Sequence, residues 1–479
     1  MKAHKDLDHF FAPASVAVVG ATPNKAKGGY SIIANMLESF GGPVYPVNPG
    51  RTEINGEKCY ASLRDLQGKV ELAVVFVPAS QVPGVLEDGA AAGIKAAVIE
   101  SGGFAETGEE GRELQDRCLR IAREGGMRLW GPNCTGLVNT DPLIFTPFIR
   151  FPDLRTRLQR GNLGIIAQSG MMAAGFMMQY LLTGFFKVSK ACAIGNKMDV
   201  DEVEVLAYLA DDPNTEAVVA YLESIGDGRA FVEVARRMAG AKPLVVLKGG
   251  RYEESARAAL SHTASIAGSD EVIEGALRQA GVLRVHDFQD LMDLGKAFSL
   301  NPRPFGAASA EGNRIAVVTV SGGGGVVASD LARDNGLSIP PLREETLEKL
   351  RRVFPPWMAP GNPVDIWPAI EQNGFDAFSG SIEAVLADPG IDGIVLLTFA
   401  SRIIGAFPFE ELGEKMRRAG KPMVSWVFGD ARFFDTYRDS MESIGAPVYT
   451  TVRSCVKALA AYLHFGRWSR LEAGEPVSG

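Results

Sequence analysis

Cysteine is scarce in this sequence. Its 479 residues include five, Cys59, Cys118, Cys134, Cys192 and Cys455, scattered with no CxxC pair. That spacing offers neither a zinc-site pattern nor a disulfide framework, so no metal site is expected and a reducing compartment is. Long hydrophobic runs are missing as well. No stretch of about 20 apolar residues exists to cross a bilayer, and the opening MKAHKDLDHFF lacks the apolar segment of a secretory signal. A cytoplasmic protein with no membrane partner is expected. Positive charge is not in excess either: the net charge is −8, without the clustered lysine and arginine of a nucleic-acid surface. Nucleic acid is therefore not an expected partner, although local backbone amides can still hold an anion.

The hydrophobic share of 46% and charged share of 22% are those of an ordinary globular protein, and the length suggests about three domains. The first block runs to about residue 150. SVAVVGA at 15–21 is a short β-branched run ending in glycine, the pattern of a buried parallel strand. GPVYPVNPG, LAVVFVPAS, AAVIESGGF and MRLWGPNCTG repeat that pattern, and helical stretches such as 81–92 and 109–125 separate them. Alternating strands and helices predict βαβ units and a parallel sheet. Ligands of such sheets bind beyond the carboxyl ends of the strands, which here read GATPNKAKGG, VNPG, VPAS, ESGG and GPNCTG.

Two further blocks, 151–305 and 306–479, resemble each other. GNRIAVVTVSGGGG at 312 mirrors GNLGIIAQSGMMAAG at 161, ADPGIDGIVLLTFAS mirrors DDPNTEAVVAYLESI, and KPMVSWVFGD mirrors KPLVVLKGG. Internal similarity of this length predicts a duplicated α/β domain, with the Pro- and Gly-rich stretch 301–313 as the boundary. Aligning the Asp-Pro pairs sets Glu223 opposite Phe399, and the second copy has no counterpart of the histidine in ALSHTAS. If both copies share one fold, that fold needs neither Glu223 nor His262.

The chain has only five histidines. His4, His9, His286 and His464 read as ordinary satisfied residues. His262 follows the strand VVLKGG on a loop of small residues and precedes a helix with Ser269 as N-cap, Asp270 and Glu271 in its first turn and Gly281 at its stop. Val272, Ile273, Ala276, Leu277 and Ala280 form its apolar stripe. A neutral imidazole can attack a phosphoryl or acyl group, and it needs an acceptor, usually a carboxylate, to fix its tautomer. Glu223, at the end of AVVAYLE, is the candidate. Gln168, Ser169 and Gly170 begin a strand–turn–helix that would present amides to a phosphate, and Ser321, Gly322 and Gly323 begin a second.

The ordered set VGAT, VNPG, VPAS, ESGG, GPNC, QSG, GNKMDVDE, YLESI, KGGR, SHTAS, AGSD and NPVD resembles the NDP-forming acyl-CoA synthetases, relatives of succinyl-CoA synthetase. The α subunits of the ADP-forming acetyl-CoA type are the nearest in pattern. The resemblance covers residues 8 to 470. It implies a Rossmann-like CoA-binding domain followed by two flavodoxin-like doubly wound domains. It implies that His262 is a transient phosphohistidine with Glu223 as its partner. By the same carry-over, coenzyme A would be held by Gly20, Ala21 and Thr22, by Val47, Asn48 and Pro49, by Val77 and Pro78, by Ser101 and Gly102, and by Asn133. The implied reaction interconverts a small carboxylic acid, CoA and a nucleoside triphosphate with acyl-CoA, the diphosphate and phosphate, through an acyl-phosphate.

Three features depart from the family's pattern: Ala264 replaces a common glycine, SGGGG replaces a GGPG-like turn, and Met171 and Met172 stand near a helix start where smaller residues are common. Those methionines suit either an acyl pocket or the core. No stretch resembles an ATP-grasp domain, so ATP or ADP with Mg is expected on a separate β subunit and an oligomer is expected. The competing reading is a CoA- or acyl-CoA-binding regulatory or assembly protein without turnover. A nicotinamide oxidoreductase is disfavoured, because VVGATPNKAKGG lacks GxGxxG spacing and VYPVNPG ends without an acidic residue.

Overall fold

The computed structural model of the chain describes residues 4–170, 175, 187–255, 269–303, 312–401 and 407–474. It forms two compact units, one of residues 1–238 with 244–286 and one of 239–243 with 287–479.

In the first unit, the opening sheet has five parallel strands in the order Val44–Val47, Val16–Val19, Leu72–Val75, Ala96–Ile99 and Arg128–Trp130. Numbered along the chain this is 2-1-3-4-5, a doubly wound order whose switch point lies between Val16–Val19 and Leu72–Val75. These short runs are strands because helices cover both faces. Every residue of Val16–Val19, Leu72–Val75 and Ala96–Ile99 is buried, so hydrophobicity is continuous rather than alternating. Helices Gly28–Ser39, Val82–Ala92 and Glu109–Glu124 connect them, the last two within a residue of the expected spans.

The second sheet has seven strands, in the order Leu283–Val285, Leu244–Lys248, Ala217–Leu222, Leu163–Ala167, Val188–Ala193, Leu137–Thr140 and Leu143–Phe145. The first five are parallel and repeat the 2-1-3-4-5 winding. The last two are an antiparallel extension, pairing through Leu137–Asn139 with Lys190–Cys192. So residues before 150 complete the sheet of the following block. Lys190 sits at this junction and its ammonium meets Asp212 at 2.6 Å with both side chains buried. Removing one member of such a pair strands the other charge in a poorly solvating interior. Lys190→Met is therefore expected to lower stability by about 3–5 kcal/mol in denaturant titrations, with Lys190→Met/Asp212→Asn recovering part of the loss.

The second unit carries five parallel strands in the order Val364–Asp365, Ile315–Thr319, Gly393–Ala400, Met423–Gly429 and Val448–Tyr449. This too is 2-1-3-4-5, so the repeat seen in the sequence is a repeat of topology. Its core gathers residues such as Phe378, Leu396, Met416 and Met441. Lys296, also buried, is neutralised by Glu442 and donates to the Val448 carbonyl at 2.7 Å. All five cysteines are buried and unbridged. Among the described residues no helix is long and apolar enough to cross a membrane.

Candidate functional site

At the first sheet's switch point the chain closes on itself too tightly for side chains. Gly20 has φ +89°, and a Cβ there would lie 2.2 Å from the Phe76 carbonyl oxygen. Gly29, in the first turn of the next helix, faces the Gly20 carbonyl so closely that a Cβ would sit 2.1 Å from it. Main chain thus packs on main chain at the switch-point crevice, where doubly wound sheets bind ligands. Ala21 and Thr22 continue from Gly20, and Asn48 donates to the Ala21 carbonyl at 2.8 Å, tying the loop of Val47, Asn48 and Pro49 to the first. Ser101 donates to the Val77 carbonyl at 2.6 Å, joining Val77–Pro78 to Ser101–Gly102. The Asn133 amide donates to the Ser101 carbonyl at 2.9 Å. All five strand-end loops named from the sequence thus line one edge of one sheet. Their small residues leave space beyond the strand ends, where sheets of this winding hold ligands.

Asn133 also leads to the second sheet. Its side chain donates to Asn196 Oδ1 at 3.3 Å, and Asn196 and Met198 amides donate to the Pro132 and Gly131 carbonyls, each at 2.9 Å. Thr135 donates to the Gly170 carbonyl at 3.0 Å. The crevice and the Gln168–Gly170 turn therefore belong to one continuous edge of the first unit.

Glu223 follows directly on the strand Ala217–Leu222 and is 4% exposed. The Tyr221 hydroxyl donates to its Oε1 at 3.2 Å. Burial and the neighbouring carboxylate push the Tyr221 phenol up, so it stays a donor. The main chain around Glu223 is held by side chains from other elements. Gln168 Oε1 accepts from the amides of Glu223 at 2.8 Å and Ser224 at 3.0 Å. Lys248 Nζ donates to the Glu223 carbonyl at 2.7 Å. Lys197 Nζ donates to the Ser224 carbonyl at 3.1 Å and pairs with Glu202 at 2.7 Å, while Glu202 accepts from the Gly226 amide at 2.7 Å. Lys248 is 2% exposed and among the described residues has no carboxylate in ion-pair range. Burial first, then Arg284, pushes its ammonium down to about 8. It also borders a cleft of about 1050 Å³ between the helices Gly228–Ala239 and Asp270–Gln279.

The helix after the histidine loop starts at Asp270 and ends at Gln279, with Ser269 at the N-cap position but making no side-chain cap bond. Within its stripe Leu277 and Ala280 are buried, whereas Val272 is 71% exposed and faces the cleft. In the second unit Ser321 caps the helix Gly322–Asp334, accepting from the Gly324 amide at 3.2 Å. Gly322 stands close to Asp365, Gly323 faces open space, and Phe399 occupies the position matching Glu223. His262, Ala264, Met171 and Met172 lie outside the described residues. Lys197, Glu202 and Lys248 are not marked as site residues by sequence reasoning, though GNKMDVDE and KGGR contain or adjoin them. A signal exists: Lys248 aligns with Val427 in the second copy.

The chain is built on a CoA-binding domain and two ligase-type domains. Residues 14–140 match the CoA binding domain family, 160–298 the succinyl-CoA ligase like flavodoxin domain and 315–472 the ligase-CoA domain. The chain is 40% identical to acetate–CoA ligase [ADP-forming] II of Archaeoglobus fulgidus, over 96% of this chain and 67% of that protein. It is 36% identical to the α subunit of acetate–CoA ligase [ADP-forming] II of Pyrococcus furiosus, over 92% and 94% respectively. Its structure resembles that of the dinucleotide-forming acetyl-coenzyme A synthetase 1 of Ca. Korarchaeum cryptofilum, solved with phosphate and ADP, with a TM-score of 0.86, 32% identity and coverage of 98% and 99%. The chain belongs to the NDP-forming acyl-CoA synthetase family, and its first domain is a CoA-binding domain.

Proposed function

We propose that this chain is the α subunit of an NDP-forming acyl-CoA synthetase that relays a phosphoryl group through His262. It interconverts a small carboxylic acid, CoA and ATP with acyl-CoA, ADP and phosphate. Residues 1–150 serve as the CoA domain, lending Leu137–Phe145 to the sheet of the next; 151–305 serve as the ligase domain carrying the histidine, with its last residues from Asp287 in the second compact unit; and 306–479 serve as the second ligase domain. The crevice loops hold CoA, which supplies the thiol that takes up the acyl group. His262 accepts the phosphoryl group and passes it to the acid, so one difficult transfer becomes two easier ones. Glu223 accepts the imidazole N–H and keeps the attacking nitrogen unprotonated. The Gln168–Gly170 turn directs amides at the phosphate, and the Ser321–Gly323 turn of the second unit is a further phosphate-binding candidate. An ATP-grasp β subunit brings the nucleotide. The match to α subunits over 94% and 98% of their length supports that division, and the unbridged cysteines agree with a cytoplasmic setting.

One observation carries this reading. In a duplicated sheet, a single copy places a buried carboxylate at the strand end, on the same edge as the Ser169 turn and the CoA crevice. The test is to mix the chain with acetyl-CoA and radiolabelled inorganic phosphate and to follow acid-labile, base-stable label. Glu223→Gln is expected to slow labelling on the order of 100-fold while calorimetric CoA binding stays intact. A wild-type chain that binds CoA yet never takes label, with any nucleotide-binding partner present, would leave the CoA-binding reading without turnover.

A further inference from the structure

The two ligase sheets can be laid over each other strand by strand. Leu163–Ala167 pairs with Ala217–Tyr221 as Ile315–Thr319 pairs with Gly393–Leu397. Val218–Leu222 pairs with Leu244–Lys248 as Ile394–Thr398 pairs with Met423–Val427. The next backbone bond is the same in both copies: Gln168 donates to the Tyr221 carbonyl and Val320 to the Leu397 carbonyl, each at 3.0 Å. Gln168, Glu223 and Lys248 therefore stand where the second copy has Val320, Phe399 and Val427.

Three neighbouring positions change from polar to apolar together. The second copy keeps its sheet with valine at both flanking positions, Val320 and Val427, which are themselves buried. The fold thus does not call for an amide and an ammonium there. Burying them is unfavourable unless they are bonded, most of all for the cation. In the first copy both are spent on the same few atoms. Gln168 holds the amides of residues 223 and 224, and Lys248 holds the carbonyl of residue 223. Lys197 and Glu202 extend the clamp to Ser224 and Gly226. A loop gripped at this many main-chain atoms fixes where the Glu223 side chain starts, and the Tyr221 hydroxyl, at 3.2 Å, restrains its carboxylate.

We infer that Gln168 and Lys248 are positioning residues for phosphoryl transfer, acting through the main chain of Glu223 to fix where its carboxylate points. This rests on the reading of Glu223 as the partner of His262. Small displacements of an orienting group lower rates steeply without altering remote binding.

The test uses the full chain, acetyl-CoA and radiolabelled inorganic phosphate. Gln168→Val and Lys248→Met introduce the apolar character that the second copy has at these positions. Both are expected to fold, to bind CoA as wild type does and to label on the order of 10- to 100-fold more slowly. The KM for acetyl-CoA is expected to hold within about twofold, placing the loss in the transfer step. Lys248→Gln retains a donor for the Glu223 carbonyl and should recover part of the rate. Wild-type labelling rates in Gln168→Val and Lys248→Met overturn this inference alone. Loss of CoA binding in step with a collapsed thermal midpoint also overturns it, since the residues would then serve the fold. A wild-type chain that takes no label overturns both this inference and the reading beneath it.

Discussion

His262→Ala is expected to leave no acid-labile phosphate on the protein and to reduce net synthesis of acyl-CoA to background. The described His9, His286 and His464 stand in settings unlike the one proposed for His262. His9 has a carboxylate neighbour, Glu71, but that residue lies just before the strand Leu72–Val75, at the amino end of the sheet, where this architecture does not bind ligands. His286 lies beside the strand Leu283–Val285, where burial and the cations Arg251 and Arg284 depress its basicity. His464 sits within the helix Val452–Glu472. The expected loss is complete because a covalent carrier has no partial replacement. The measurement is label per chain after acid and alkaline quench, with CoA affinity as the control for folding. Label persisting at the wild-type level in His262→Ala would assign the carrier elsewhere.

Gly20→Ala is expected to have the next largest effect, on binding rather than on chemistry. A methyl at this position meets the Phe76 carbonyl at 2.2 Å on a backbone with φ +89°. The clash is with main chain, so no rotamer change relieves it. Left-handed strain and overpacking together cost about 2–5 kcal/mol. Relieving that clash displaces the strand end at the proposed CoA loop, so CoA affinity is expected to fall at least about 100-fold, equivalent to about 2.7 kcal/mol. Gly41→Ala is the matched control, because nothing lies within 4 Å of a Cβ there. Calorimetric titration with CoA checks both, and equal affinities would remove Gly20 from the binding loop.

Much of this architecture is readable in the sequence because buried parallel strands announce themselves as short apolar runs that stop at Gly, Pro, Asn or Ser. The duplication is readable because the copies keep their Asp-Pro and Lys-Pro punctuation. Other parts are not. Leu137–Thr140 and Leu143–Phe145 join the sheet of the next block as an antiparallel edge, and partner choice across a domain boundary leaves no periodic trace. The stripe of the helix Asp270–Gln279 reads as one apolar face, yet Val272 is exposed and borders the cleft, since spacing defines a face but not what covers it. Lys197, Glu202 and Lys248 are hard to single out because lysine and glutamate normally signal solvent. Their role depends on strand ends brought together from distant segments.

The five thiols carry one further consequence. Burial raises the pKa of every one, Cys134 of the GPNC loop included. A sulfhydryl that stays protonated is a poor nucleophile. An enzyme that makes thioesters must prevent its own sulfur from intercepting the activated acyl group. Five buried thiols held in the protonated form are poor competitors for such a group.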